Sequence, residues 1–214
     1  GQGMFRFKKY FYSYFYPRSI FVRHEYYDIG QKNIGENSYL FDPMKSYSSG
    51  IGFQNNWVRV QICKNQENWG AGNGIALALS DNSASYDYFA VGSNYGNLRV
   101  KYVHGVLEKT ENEINRYITA RGIEWTNRNS LIIGLSETII YSGENRSIDI
   151  GYLNPISSHL EIELNNRLNN IGIGNANAVW QAHLDLMLKK TVRFSLNLLF
   201  DEFVFDPDIE IEPD

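Results

Sequence analysis

The 214-residue sequence lacks several features that would assign it to a common class of protein. Its single cysteine, Cys63, excludes an internal disulfide and a cysteine-based metal cluster. No segment approaches the roughly 18 consecutive apolar residues of a transmembrane helix, and helical periodicity is almost absent. The net charge of -4 gives no clustered basic surface of the kind that binds nucleic acid, so nucleic acid is not an expected partner.

Motifs for catalysis and cofactor binding are also missing. The four histidines lie in separate segments, and no two have the spacing of metal ligands: His24, His104, His159 and His183. No Gly-x-Ser-x-Gly elbow occurs, and the glycine-rich stretch 69–74 lacks the arrangement that a phosphate-binding loop needs. We therefore expect a protein that is not an enzyme and that has no metal and no cofactor.

Strand-like alternation is abundant, and the stretch 178–200 shows it best. Apolar residues occupy every second position from Ala178 to Leu188 and again from Val192 to Phe200. A three-residue turn, Lys189 to Thr191, pairs the two halves apolar against apolar, whereas a shorter turn would mix the faces. Each apolar side runs about ten residues, which suits a tilted strand that crosses a bilayer. A half-buried strand of a soluble β-sandwich alternates in the same way.

The remaining alternation predicts six further strands, namely Ser19–Tyr27, Ile51–Cys63, Tyr86–Val91, Asn97–Leu107, Arg116–Thr126 and Ser130–Tyr141. Long and short connections alternate, with long loops at about 64–85 and 142–176. Outer-membrane barrels show this asymmetry, because their periplasmic turns are tight and their extracellular loops are long. We therefore predict an all-β fold, a single-domain antiparallel up-and-down transmembrane β-barrel over residues 1–214. Open sheet edges do not occur in lipid, so we expect the chain to be a fragment of a larger barrel.

Several short pieces, collinear along the chain, resemble the Wzi capsule-assembly family of outer-membrane barrels. The pieces are 68–74, Leu79 to Asn82, Ala120-Arg121-Gly122, Gly134 to Glu137, Tyr152 to Pro155 and Leu199 to Phe203. The resemblance spans about Trp57 to Phe205, and it departs at Ala71, where the family often has Pro, and at Ala120, where it has His. It implies a lectin-like protein in the outer membrane of Gram-negative bacteria that holds capsular polysaccharide at the cell surface. Polysaccharide-export machinery is a further partner that the resemblance implies.

Two groups of residues are candidates for function. Aromatic and amide side chains on the long loops suit contact with sugars, and these are Trp69, Asn73, Tyr86 and Asn154. A polar lining of the barrel is expected from Arg59, Arg99, Arg121, Glu137 and Asp201. Arg121 and Glu137 are expected to lie diagonally across the Asn127–Asn129 turn and to form an ion pair, because a shielded charge needs a partner.

Two other functions remain open, a transport channel with a polar lumen and a soluble β-sheet enzyme that acts on glycans. Asp185 and Asp201 do not form a glycosidase pair, because the predicted register separates them by on the order of 20 Å along a strand. The stretch His159 to Leu168 is either an extra strand or a plug helix. We expect membrane lipid and surface polysaccharide as partners, and the bacterial outer membrane as the location.

Overall fold

The structure is a computed structural model that describes residues 3–17, 46–71, 77–80, 83–107, 109, 114–159, 162, 175–189 and 191–201. Its strands are β1 (Gly3–Phe7), β2 (Phe11–Pro17), β3 (Ser46–Gln54), β4 (Val58–Asn65), β5 (Tyr86–Tyr95), β6 (Leu98–Leu107), β7 (Ile114–Thr126), β8 (Leu131–Glu144), β9 (Asn175–Leu188) and β10 (Val192–Phe200). A short helix, α1, covers Ile150–Leu153. The predicted all-β class is confirmed.

The ten strands form one antiparallel sheet in the order of the sequence, each paired with the next. β1 and β10 form the two edges, so the sheet is open over the residues that are described, and barrel closure is not observed. Within those same ranges, no helix has the length and apolar character needed to cross a membrane.

The hairpin of β9 and β10 has the predicted register. Leu188 lies opposite Val192, and Trp180 lies opposite Phe200. Lys189 takes a left-handed conformation in the turn, with φ of 48°. A slip of one residue would move every apolar side chain of one strand to the opposite face, so the alternation specifies the pairing.

The tight turns between the described strands lie at one end of the sheet, which we call the short-turn end. They span residues 8–10, 55–57, 96–97, 127–130 and 189–191. The connections at the opposite end span 18–45, 66–85, 108–113 and 145–174. We call 66–85 the first long loop and 145–174 the second long loop.

Several stretches differ from the prediction, and β5 continues to Tyr95 where the predicted strand ended at Val91. Ile51–Cys63, predicted as one strand, is divided between β3 and β4, because the Asn55 side chain accepts hydrogen bonds from the N–H groups of Trp57 (2.9 Å) and Val58 (2.8 Å) and closes a turn. β1 and β2 were not predicted, since β2 carries tyrosines on one face and Phe11, Ser13 and Phe15 on the other, without a contrast between apolar and charged residues. The predicted strand Ser19–Tyr27 lies outside the described residues.

The two faces of the sheet have opposite character. The polar face carries Tyr12, Arg59, Gln61, Arg99, Lys101, Glu124, Gln181, His183 and Asp185. The apolar face carries Phe5, Ile51, Ile62, Val100, Leu135, Leu184, Leu196 and Phe200. Leu135 is 61% exposed, whereas Gln181 is 1% exposed. Several large apolar side chains are thus exposed on the apolar face, whereas Gln181 and His183 are buried on the polar face.

Each long loop covers part of one face. On the polar face, Leu79 from the first long loop packs with Tyr88 and Val103. On the apolar face, Tyr152 from the second long loop covers Tyr141, with 4.5 Å between the ring centroids. The second long loop therefore covers the end of the apolar face that is distant from the short-turn end.

Candidate functional site

The first long loop lies on the polar face, and its first contact is made by Glu67. This buried carboxylate accepts a hydrogen bond from Tyr88 Oη (2.6 Å) and forms an ion pair with Lys101. A buried charge is unfavourable without such partners. The contact attaches the start of the loop to β5 and β6.

Trp69 is the largest side chain in this contact. Its ring lies against Gly122, where a Cβ would overlap the ring, so only glycine leaves room at this position. Lys101 Nζ lies 5.6 Å from the centroid of the Trp69 ring, and the His183 ring meets it edge-on at 6.5 Å. Trp69 was predicted as a sugar contact, and the structure places it half-buried between the loop and the sheet.

Two amide side chains hold the backbone of the loop around Trp69. Asn197 accepts a hydrogen bond from the N–H of Ala71 (2.8 Å) and donates one to its carbonyl (2.9 Å). Gln181 donates to the Trp69 carbonyl (3.1 Å) and accepts from the N–H of Ala78 (3.0 Å). Because an amide both donates and accepts, each side chain fixes two groups of the loop. The described part of the loop around Trp69 therefore lies on the polar face.

Charged side chains on the polar face are paired across strands. Arg99 and Glu124 lie opposite each other on β6 and β7, with 3.1 Å between Nε and Oε2. Glu124 also lies 3.0 Å from His183 Nε2. Arg193 forms a two-pronged ion pair with Asp185 on β9. This part of the polar face is a network of ion pairs that neutralise one another.

Arg121 and Glu137 do not belong to this network, so the expectation that they share one polar lining with Arg59 and Arg99 is wrong. Arg99 pairs with Glu124, which lies on the polar face. Arg121 is three positions before Glu124 in β7, so its side chain lies on the opposite, apolar face. Glu137 pairs with Arg121 and lies on the same face. The pair itself is present, with 3.0 Å between Nε and Oε2 and side chains that are 11% and 6% exposed.

The predicted diagonal contact between Arg121 and Glu137 is a direct one, because the turn before β8 is longer than predicted. Thr126 pairs with Ile132, which brings Arg121 directly opposite Glu137. The side chain of Asn127 accepts hydrogen bonds from the N–H groups of the residues at 129, 130 and 131, and this stabilises the longer turn.

The second long loop is attached to this ion pair. Arg121 Nη1 donates a hydrogen bond to the carbonyl of Asn154 (2.9 Å), and the N–H of His159 donates one to Glu137 Oε1 (2.9 Å). The pair thus fixes the loop on the apolar face of the sheet. The stretch His159 to Leu168, predicted as a strand or a plug helix, is described only at residues 159 and 162, so that prediction stays open.

The predicted sugar-contact residues lie in different places. Tyr86 begins β5 and is 6% exposed, so the expectation of an exposed ring is wrong. Its ring lies over Gly105, where a Cβ would be 2.8 Å away. Asn154 is exposed on the second long loop. Asn73 lies outside the described residues.

A cleft of about 590 Å³ lies on the polar face over β1 to β4. Tyr12, Tyr14 and Tyr16 line it, together with the exposed Arg59. The sequence analysis did not single out these tyrosines. The signal that would have identified them is the alternation in β2, which places every tyrosine of that strand on the polar face.

The two carboxylates considered from the sequence as a pair have different surroundings. Asp185, one member of the carboxylate pair considered from the sequence, accepts hydrogen bonds from Arg193 and Ser195. Asp201 follows β10 and is exposed. Over the described ranges, no group of three or more His, Cys, Asp or Glu side chains is arranged to hold a metal ion. The cleft offers aromatic rings, amides and cations.

Comparisons with known proteins give no match. No protein-family model, no curated protein and no solved structure is similar to this chain. The resemblance to the Wzi family therefore stays a prediction.

Proposed function

We propose that this chain is part of an outer-membrane β-barrel that holds surface polysaccharide without altering it chemically. Exposure of the apolar face is the observation that supports the membrane location most directly. Phe5 is 71% exposed and Ile51 62%, while Gln61 on the opposite face is buried. Large contiguous apolar surfaces are unfavourable in water and mark sites of contact with lipid or protein.

The dimensions of the apolar face also suit a bilayer. β10 has nine residues, Val192–Phe200, and presents apolar side chains at every second position. Nine residues extend roughly 30 Å, and strand tilt reduces this to about the 25 Å height of the apolar band of outer-membrane barrels. β10 is therefore long enough to cross the hydrocarbon region.

Closure of the sheet is part of the proposal. In hydrocarbon, the unpaired N–H and C=O groups of β1 and β10 would have no partner, and such edges are not stable there. We place further strands between the two edges, so that the polar face lines the lumen. The long connections then lie outside the cell, as in other barrels of this kind.

The first long loop supports a role in holding a ligand rather than in transport. A channel, the main alternative, needs a water-filled lumen, whereas other barrels have a lumen plugged by loops. Here the loop is attached to the polar face through Glu67, Trp69 and Ala71. Polysaccharide is the proposed ligand because the sequence resembles a capsule-assembly family, and a contact with export machinery is proposed on the same ground. Repeated weak contacts along a polymer give useful total affinity.

Retention of polysaccharide by membrane-inserted protein tests this proposal. Liposomes that carry the full chain are mixed with the surface polysaccharide of the source bacterium and sedimented, with protein-free liposomes as the control. We expect polysaccharide in the pellet only when the protein is present, with its chain length unchanged. Polysaccharide that stays in the supernatant, or that is shortened, contradicts the proposal.

A further inference from the structure

We infer that the cleft over β1 to β4 binds an acidic sugar, meaning one that carries a carboxylate, and this inference rests on the proposed polysaccharide function. The cleft has a volume of about 590 Å³. That volume is within the roughly 300–1,000 Å³ range of small-ligand sites. It is lined by aromatic, amide and cationic side chains, which are the groups that bind sugars and carboxylates.

Two tyrosine rings form a platform on the floor of this cleft. A Cβ on Gly52 would lie 2.6 Å from the Tyr12 ring, and one on Gly50 would lie 3.0 Å from Tyr14 Oη, so both side chains lie across the glycines of β3. The two rings are nearly parallel, with an interplanar angle of 16° and 6.4 Å between centroids. Glycine at both positions therefore allows the rings to lie close to the sheet.

The platform is fixed and accessible. Tyr12 Oη donates a hydrogen bond to Gln61 Oε1 (3.0 Å), which restrains the ring. Tyr12 and Tyr14 are both half-buried, so part of each ring remains open to the cleft. The electron-rich face of an aromatic ring attracts positively polarised hydrogens, and the C–H side of a sugar ring presents such hydrogens. The exposed amides of Gln54 and Asn56 line the same cleft and suit the hydroxyl groups.

Among the described residues, the positive charge in the cleft is not balanced by nearby carboxylates. Arg6, Lys9 and Arg59 line it, and no described carboxylate lies within ion-pair distance of any of them. Glu67 is the one carboxylate among the described lining residues, and Lys101 and a tyrosine hydroxyl already bind it. A guanidinium recognises a carboxylate with two parallel hydrogen bonds. The cleft thus favours an anionic sugar over a neutral one.

Calorimetric titration of the detergent-solubilised full chain tests this assignment with two matched probes, tetragalacturonate and its neutral methyl ester. We expect the Kd of tetragalacturonate to be roughly tenfold lower than that of the ester, because one charge-assisted hydrogen bond contributes about that difference in affinity. The difference should shrink at high salt, because the cations are exposed. Equal affinities for the two probes would overturn the assignment.

Variants identify the residues responsible. Arg59→Gln should weaken acid binding roughly tenfold and leave ester binding unchanged. Tyr12→Leu should weaken both probes, whereas Tyr12→Phe retains the ring and should bind both. Arg128→Gln, which removes a cation in the turn before β8, is the control and should change neither. If Arg59→Gln binds the acid as tightly as the native protein does, the assignment is wrong.

The titrations test the cleft assignment, and the liposome sedimentation tests the proposed function, so each result can contradict one claim without contradicting the other. Retention of polysaccharide by liposomes without selectivity for the acidic probe would overturn the cleft assignment and leave the proposed function in place. Selective binding of the acidic probe without retention of polysaccharide would support the cleft and contradict the proposed function. Circular dichroism of each variant establishes that a loss of binding does not reflect unfolding.

Discussion

Arg121 and Glu137 lie directly opposite each other on β7 and β8, with 3.0 Å between Nε and Oε2, on the apolar face of the sheet. The pair marks a boundary on that face. Leu135, toward the short-turn end, is exposed, whereas Ile139, on the other side of the pair, is completely buried beneath the second long loop. The ion pair thus lies where the proposed lipid-facing surface ends.

Loss of one partner of this pair should destabilise the protein. Glu137→Leu leaves a buried guanidinium without a counter-charge, and we expect a loss of about 3–5 kcal/mol in the free energy of unfolding. The double variant Arg121→Met, Glu137→Leu should recover most of that loss, because an apolar replacement of a buried pair is often neutral. Denaturant unfolding in detergent measures both. A double variant no more stable than the single one would contradict this explanation.

A surface ion pair provides the control for that experiment. Lys64 and Asp87 lie 4.0 Å apart with exposed side chains. Lys64→Met should change the unfolding free energy by less than about 1 kcal/mol, because exposed pairs contribute little. If Lys64→Met lowers the free energy of unfolding as much as Glu137→Leu does, the loss in Glu137→Leu does not arise from burial of an unpaired charge.

The packing of Trp69 on Gly122 gives a second prediction. In Gly122→Ala, the new Cβ would overlap the Trp69 ring and lie 3.0 Å from the Leu135 carbonyl, so the first long loop should be displaced. Limited proteolysis, with the fragments mapped by mass spectrometry, should show faster cleavage within 66–85. Gly92→Ala is the matched control on the polar face, since its nearest neighbour would be the Val100 carbonyl at 3.7 Å. Equal cleavage of the two variants would contradict the proposed contact.

Release of the first long loop should open the lumen of the proposed barrel. Gln181→Leu combined with Asn197→Leu removes the hydrogen bonds to Trp69, Ala71 and Ala78. In planar bilayers we expect little conductance from the native chain and stable ion-conducting steps from the double variant. Asn177→Leu, an exposed polar-face position, is the control and should behave like the native chain. Native conductance equal to that of the double variant would favour a transport channel.

The strands that could be predicted are those in which apolar and polar residues alternate regularly along the sequence. In β9 and β10 the two faces differ in residue class, which excludes registers shifted by one residue, and the three-residue turn selects the register that is confirmed. In β2 the polar face carries Tyr12, Tyr14 and Tyr16, and the opposite face carries Phe11, Ser13 and Phe15. Such a pattern gives no contrast in hydropathy, and the strand was missed.

The candidate site was harder to predict because it depends on turns and on contacts distant in sequence. The added length of the turn at Asn127 shifts the β7–β8 register by two residues, which makes the Arg121–Glu137 contact direct. Their position on the apolar face is favourable only because the second long loop covers them. The sequence around Trp69 predicts an exposed loop residue. Its burial depends on Gly122, far along the chain, which leaves space for the ring.

Contact between the apolar face and hydrocarbon is the central claim, and spin labels placed along β10 test it most directly. Single cysteines are introduced from Phe194 to Leu199 in a Cys63→Ala background, labelled, and measured in liposomes by electron paramagnetic resonance. Labels at Phe194, Leu196 and Leu198 should collide with oxygen, which concentrates in hydrocarbon, and labels at Ser195 and Asn197 should not. High accessibility of Leu196 and Leu198 to a water-soluble nickel reagent, or no alternation at all, would contradict the account.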